Sequence, residues 1–180
     1  MPARSKSIII FDGSNFYHKL RELRIPHKSG FDYSSFSKFL TRKSLVTSRY
    51  FCIGKIQAKQ RNKKAREMMA KQQSLVTRLQ KQGFTIQFGY LLKTKGAYHE
   101  KGVDIQIATN LLMDAFRNKF TTAYLVSSDS DLIPAISASQ SLSKRIVYVG
   151  FKHKPSRALV RATKKQILLT RDDLLPFIGK

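Results

Sequence analysis

Acid is what this chain has least of. Its 180 residues include 11 Asp and Glu against 34 Lys and Arg, a formal net charge of +23. Such an excess points to a polyanion, and nucleic acid is the commonest one, although ribosome-like and membrane-surface proteins share the signature. Cysteine is nearly absent. The single Cys52 excludes an internal disulfide and any cysteine-based zinc site, and its apolar surroundings suit a core filler. No apolar run approaches the roughly 18 residues of a membrane span, so no membrane partner is expected. Repeats, low-complexity tracts and linkers are missing too. The N-terminal MPARSKS runs straight into a strand-like III with no apolar signal region, which argues for a cytosolic protein.

Hydrophobic residues make up 42% of the chain, enough for one domain with a real core. Ser7–Phe11 (SIIIF) reads as a buried strand ending in Asp12, Gly13, Ser14 and Asn15, with Phe16, Leu20 and Leu23 following at helical spacing. Ser14 is a candidate cap for that helix, a role that does not require Asp12. A short helix through Tyr33–Leu40 and a β-rich stretch, Leu45–Ile56, come next. From Asn62 to Gln82 a longer helix is expected to bury Ala65, Met68, Met69, Leu75, Val76 and Leu79, with Gly83 ending it. Phe84–Leu92 reads as a third strand and Lys93–Lys101 as a basic loop.

Gly102–Asn118 is a helix whose apolar stripe contains Ile107, Ala108, Leu111, Leu112 and Ala115, and Asp104 projects onto the middle of that stripe. A carboxylate aimed at a core is costly without a cation or several donors, whereas a first-turn acid favoured by the helix dipole needs neither. Ala123–Val126 is a fourth strand, followed by the acidic turn Ser127–Asp131 and a helix to about Leu142. Arg145–Val149 is a fifth, and Gln166–Thr170 a candidate edge strand. Alternating β and α elements predict one α/β domain spanning residues 1–180. It is a three-layer sandwich around a mainly parallel sheet of about five strands, with a basic C-terminal extension from about residue 151.

Asp12, Asp104, Asp129 and Asp131 all fall at element ends, where open α/β sheets place their ligands. Helix capping by Ser and Asp is the competing account of Ser127–Asp131. Three motifs stand in order: D-G-S-N at Asp12–Asn15, K-G-V-D at Lys101–Asp104 and S-S-D-S-D at Ser127–Asp131. Together they resemble the NYN domain of the PIN-like nuclease superfamily, from Ser7 to about Val149, and this implies an α/β/α sandwich. It also implies a divalent-metal-dependent endoribonuclease cutting single-stranded or loop RNA. On that resemblance Asp12, Asp104 and Asp129 are the central metal ligands. Asp131 ligates directly or through water, Asn15 orients a ligand or a phosphate oxygen, and Ser128 lies in the turn that meets nucleic acid. The family commonly has glycine at the positions of Ser128 and Ser130, a departure that leaves the acids intact and narrows access to the turn.

The chemistry agrees with those residue types. Magnesium and manganese prefer carboxylate and water oxygen, so four carboxylates suit one or two Mg2+ or Mn2+ ions. Without metal, clustered acids would repel and raise one another's pKa values. No nucleophile–histidine pair competes, and of the four histidines only His99, with Glu100 and beside Lys101, falls near the candidate site.

Positive charge for the substrate comes in three stretches. Lys55, Lys59, Arg61, Lys63, Lys64 and Arg66 form an acid-free run suited to phosphate contact. Lys93, Lys95 and Lys101 flank the candidate site, with Tyr98 available to stack on a base. Lys152, Lys154 and Arg157 begin a third patch that continues through Arg161, Lys164 and Lys165. RNA is the expected partner and a homodimer is allowed. Three other readings stay open: a domain that binds RNA without cutting it, a DNA-directed nuclease, and a phosphatase or phosphotransferase using Asp12. The last normally wants an aspartate two residues on, where Ser14 stands.

Overall fold

A computed structural model of the chain describes residues 5–25, 30–42, 44–56, 63–94 and 97–179, with only the backbone of 91–94 and 97–100. The described elements are β1 (Lys6–Asp12), α1 (Gly13–Glu22), α2 (Tyr33–Thr41), β2 (Leu45–Gly54), α3 (Lys63–Lys81), β3 (Thr85–Thr94), β4 (Ala97–Lys101), α4 (Val103–Phe116), β5 (Thr122–Val126), α5 (Ile133–Ser141), β6 (Arg145–Phe151), α6 (Arg157–Ala162), β7 (Lys165–Leu169) and α7 (Arg171–Leu174). They build one sheet in the order β4-β3-β2-β1-β5-β6-β7. Six strands are parallel, one more than expected, and β4 joins antiparallel to β3.

β1 lies in the middle and, like β6, is buried from its second residue to its last, here Ser7 to Asp12. A parallel strand covered on both faces needs that pattern. Ile9 and Phe11 point to one layer, into a core with Phe16, Phe36, Phe51, Phe84 and Leu79. Ile8 and Ile10 point to the other, against Ile107 and Leu111 of α4 and Ile136 of α5. Phe11 is the hub of the first core, with rings of Phe16, Tyr33, Phe36, Phe51 and Phe84 packed at centroid distances of 5.4–6.0 Å.

Several expectations change. The stretch Lys93–Lys101 is the end of β3, a turn and β4, because β3 runs past the sheet and folds back as a hairpin. In α3 only Val76 and Leu79 are buried, while Met68 and Met69 stay about half exposed. The reason is position: Gln72 already bonds Gly54 and Ile56 at the carboxyl end of β2, so the preceding turns of the helix extend beyond the sheet. Asp104 is exposed, since the buried stripe of α4 is Val103, Ile107, Leu111, Asp114 and Ala115. The carboxylate aimed at the core is Asp114, held by the Tyr50 hydroxyl at 2.7 Å and the Lys119 ammonium at 2.9 Å. That pair lies near the amino end of the strands, away from the acids of interest.

Among the described residues no helix is long and apolar enough to cross a membrane. Removing the central ring should unravel the first core. Phe11→Ala is expected to cost about 3–5 kcal/mol in urea unfolding, the usual range for deleting a fully buried phenylalanine. A loss below about 1 kcal/mol would mean that the ring is not the hub.

Candidate active site at the carboxyl edge of the sheet

In this strand order the chain runs outward from β1 through β2 to β3 and β4, then crosses back to β5 on the other side of β1. The gap between β1 and β5 is therefore the switch point of the sheet, the place where α/β folds open a crevice for ligands. Asp12 ends β1 there, and Ser127 follows β5 directly.

Strand alternation sends Asp12 to the same face as Ile8 and Ile10, under α4 and α5. The residue is only 5% exposed. A buried carboxylate needs donors, and the chain supplies them from both neighbours. The backbone N–H of Asn15 donates to Oδ1 at 3.0 Å, so Asp12, rather than Ser14, caps α1. The Ser127 hydroxyl donates to Oδ2 at 2.9 Å. The same hydroxyl accepts the N–H of Asp129 at 3.1 Å, which ties the two acidic turns together. Gly13 is required directly after Asp12, since a Cβ there would stand 2.5 Å from the Phe51 ring and 2.9 Å from the Cys52 carbonyl oxygen.

Asp129 is half-buried, and its Oδ1 accepts the N–H of Asp131, opening the turn Ser130–Leu132 that leads into α5. The capping role is therefore real. It does not compete with ligand binding, because a carboxylate has about four acceptor positions and capping takes one. Asp131 is exposed at the mouth. Asp104, in the first turn of α4, joins this edge on the β2 side: it and Asp12 both act on the Cys52 thiol. Cys52 faces Asp12 across the β1–β2 ladder. Burial, then the negative charge of Asp12 and Asp104, push that thiol up to about 12, with an opposing hydrogen bond from Asn110.

All the acids at this edge offer oxygen, the ligand type of magnesium and manganese. Beside them Ser128 keeps a buried hydroxyl oxygen without a hydrogen-bond partner. The donor set fits a hard divalent cation in kind. Yet among the described residues no three Asp, Glu, His or Cys side chains come together as a metal-holding group. The expected ligands share an edge, and the bonds through Ser127 and Asp129 tie Asp12, Asp129 and the backbone of Asp131 into one hydrogen-bond network.

The basic residues divide in the same way. Lys55 follows β2 at this edge, exposed, with its ammonium 6.0 Å from the Phe88 ring centroid. Lys63, Lys64 and Arg66 are exposed in the part of α3 that extends beyond the edge, and Lys101 is exposed at the end of β4. Lys152, Lys154 and Arg157 are exposed after β6. Asn15 is half-buried in the first turn of α1. Lys59, Arg61 and Lys95 lie outside the described residues, as do the side chains of Lys93, Tyr98, His99 and Glu100. The sequence assigns Ser127 no role of its own and Cys52 only that of a core filler. A serine directly after a buried strand was a signal for the first; the register that sets Cys52 beside Asp12 was not visible.

The NYN domain family model matches residues 6–170. The chain belongs to the NYN domain family. It is a nuclease-type domain of the PIN-like superfamily, which implies a nucleic-acid substrate. The match reaches past Val149 through β7, farther than the motifs alone carried it. The comparison with curated proteins returns no match. Among solved structures the chain is similar to a Vibrio parahaemolyticus protein of unknown function, with 22% identity, a TM-score of 0.73 and coverage of 97% of this chain and 98% of that one. At that identity the likeness shows the fold.

Two outcomes follow for this NYN domain. Ser127→Ala leaves a buried carboxylate short of a donor and the Asp129 amide short of an acceptor, so urea unfolding should show a loss of about 1–3 kcal/mol. An unchanged stability would break the proposed link between the turns. Cys52 in the native protein should react with iodoacetamide at pH 8 about a thousandfold more slowly than in urea, from its thiolate fraction alone. Equal rates would show that the site is open around it.

Proposed function

We propose that this NYN domain is a divalent-metal-dependent endoribonuclease that hydrolyses phosphodiester bonds in single-stranded or loop RNA. The observation that carries the reading is the joining of Asp12 and Asp129 through Ser127 at the switch point of the sheet. A buried carboxylate at the carboxyl end of the central strand of so basic a chain is a poor investment for stability alone.

Asp12, Asp104, Asp129 and Asp131 are the residues that would hold Mg2+ or Mn2+. Such an ion supplies Lewis acidity and lowers the pKa of a bound water. Asp12 is the anchored member, because two donors from the chain already fix its orientation. Asp129 is set by its own turn, and Asp131 and Asp104 reach the edge from exposed positions. A bound cation would offset the mutual repulsion of these like charges. Asn15 stands one helical turn from Asp12 and offers an amide to a phosphate oxygen. Lys55, Lys101 and Lys152 flank the edge and neutralise the incoming backbone, with no sequence preference of their own.

A second reading draws on the same geometry: a domain that binds RNA without cutting it would need no assembled acidic cluster. Labelled RNA and DNA of one sequence, incubated with Mn2+ or with EDTA, separate these readings. RNA cleavage is expected only with metal, and Asp129→Asn should reduce it to background while its melting curve keeps a folded transition. Undiminished cleavage in EDTA, or by the variant, would overturn the metal mechanism. Binding with no cleavage under any condition would favour the second reading, and preferential cutting of DNA would move the substrate.

A further inference from the structure

Apart from Tyr98, whose side chain lies outside the described residues, the candidates for holding an RNA strand beside these acids are mostly cations, which grip phosphate and ignore the bases. One patch at the same edge offers something else. Phe88 and Tyr90 lie on one face of β3 and are 41% and 56% exposed. Two large aromatic rings side by side in water at a candidate site are a costly feature for a monomer to keep.

Their surroundings are specific. The Lys55 backbone N–H donates to the Gly89 carbonyl at 3.1 Å, and the Lys55 ammonium stands over the Phe88 ring. Tyr90 pairs with Lys101 across the hairpin. Its ring packs against Gly102, where a Cβ would stand 3.3 Å from Cε1, and a side chain is further opposed by a φ of +81°. Gly102 immediately precedes α4 and lies two residues before Asp104. Tyr90 is thus packed against the residue that opens the helix carrying one of the proposed metal ligands, with Phe88 two residues before it on the same strand.

We propose that Phe88 and Tyr90 form a stacking shelf for unpaired bases of a nucleic-acid strand whose backbone runs along Lys55 and Lys101 toward Asp104. The inference rests on the nuclease reading for the direction of the strand, and it adds why that strand must be single. A base can lay its face on an aromatic ring only when it has left a duplex stack, and any base serves because every base has a π-face. The Lys55 ammonium stands 6.0 Å from the Phe88 ring centroid. A phosphate draws it away, and the ring is then free for the base, so charge and stacking act in sequence. The shelf selects strandedness; the cations supply salt-dependent grip.

The test reads binding in EDTA, with gels confirming that the oligonucleotides stay intact. Single-stranded RNA carrying 2-aminopurine, a matched abasic strand and the RNA duplex are titrated into wild type, Tyr90→Leu and Phe88→Leu/Tyr90→Leu. Both positions are exposed, and unchanged melting curves serve as the folding control. Each stacked base is worth roughly 5- to 150-fold in affinity. Wild type should quench 2-aminopurine and bind the single strand at least about fivefold tighter than the abasic strand. The double variant should lose the quench and that preference while binding the abasic strand as wild type does, with Tyr90→Leu in between. Equal weakening on both strands, or no change on either, would overturn the shelf while leaving the nuclease reading in place. If wild type binds no strand at all, the nucleic-acid reading itself fails, and the shelf with it.

Discussion

The hydrogen bond from the Ser127 hydroxyl to the Asp12 carboxylate is the contact on which the functional end of this molecule depends. A carboxylate at the end of an apolar strand and buried under two helices must be compensated. One donor comes from the next turn of its own chain, through Asn15. The other comes from a strand more than a hundred residues away in sequence, which the crossover has laid directly beside β1. The same serine then receives the Asp129 amide, so the second acidic turn inherits its position from the first. Remove that pairing of strands and the two acids have no common frame.

The charge distribution gives this frame its meaning. Positive residues outnumber acids about threefold, yet Asp12, Asp129 and Asp131 fall where the parallel strands β1 and β5 end. Exposed cations surround them after β2, β4 and β6. A polyanion is attracted to the surface as a whole, and the edge is where it meets oxygen ligands instead of ammonium groups. An isolated surface ion pair contributes little to stability. The described pairs, Lys19 with Glu22, His153 with Glu22 and Lys119 with Asp114, leave most of the basic surface without a carboxylate. The surplus is better understood as a means of attraction than as a means of folding.

Much of this was legible in the residues. The apolar run Ile8–Phe11 announced a buried central strand, and Asp12 at its end announced the edge where ligands collect. The acidic turn after Val126 was legible for the same reason, as were Gly83 and the helix it closes. The hairpin β3–β4 was not, because lysines and a glycine in Lys93–Lys101 outweigh a weak alternation that matters only once β3 has a partner. Met68 and Met69 read as core because they sit at helical spacing, and nothing local tells how far a helix extends past its sheet. Asp104 read as buried because a projection at 100° per residue cannot say which of two neighbouring stripes meets the sheet; Asp114 took that place.

The sequence by itself determined the layers, the basic composition and the family, since each of these follows from local pattern and composition. Tertiary structure alone decided that β1 and β5 are neighbours, that Ser127 links Asp12 to Asp129, that Cys52 stands beside Asp12, and that Tyr90 packs on the glycine leading to Asp104. The physical reason is that burial, register and shared hydrogen bonds are properties of pairs of segments. A residue's type limits what it can bond with, and only the packed sheet sets which partner comes within about 3 Å.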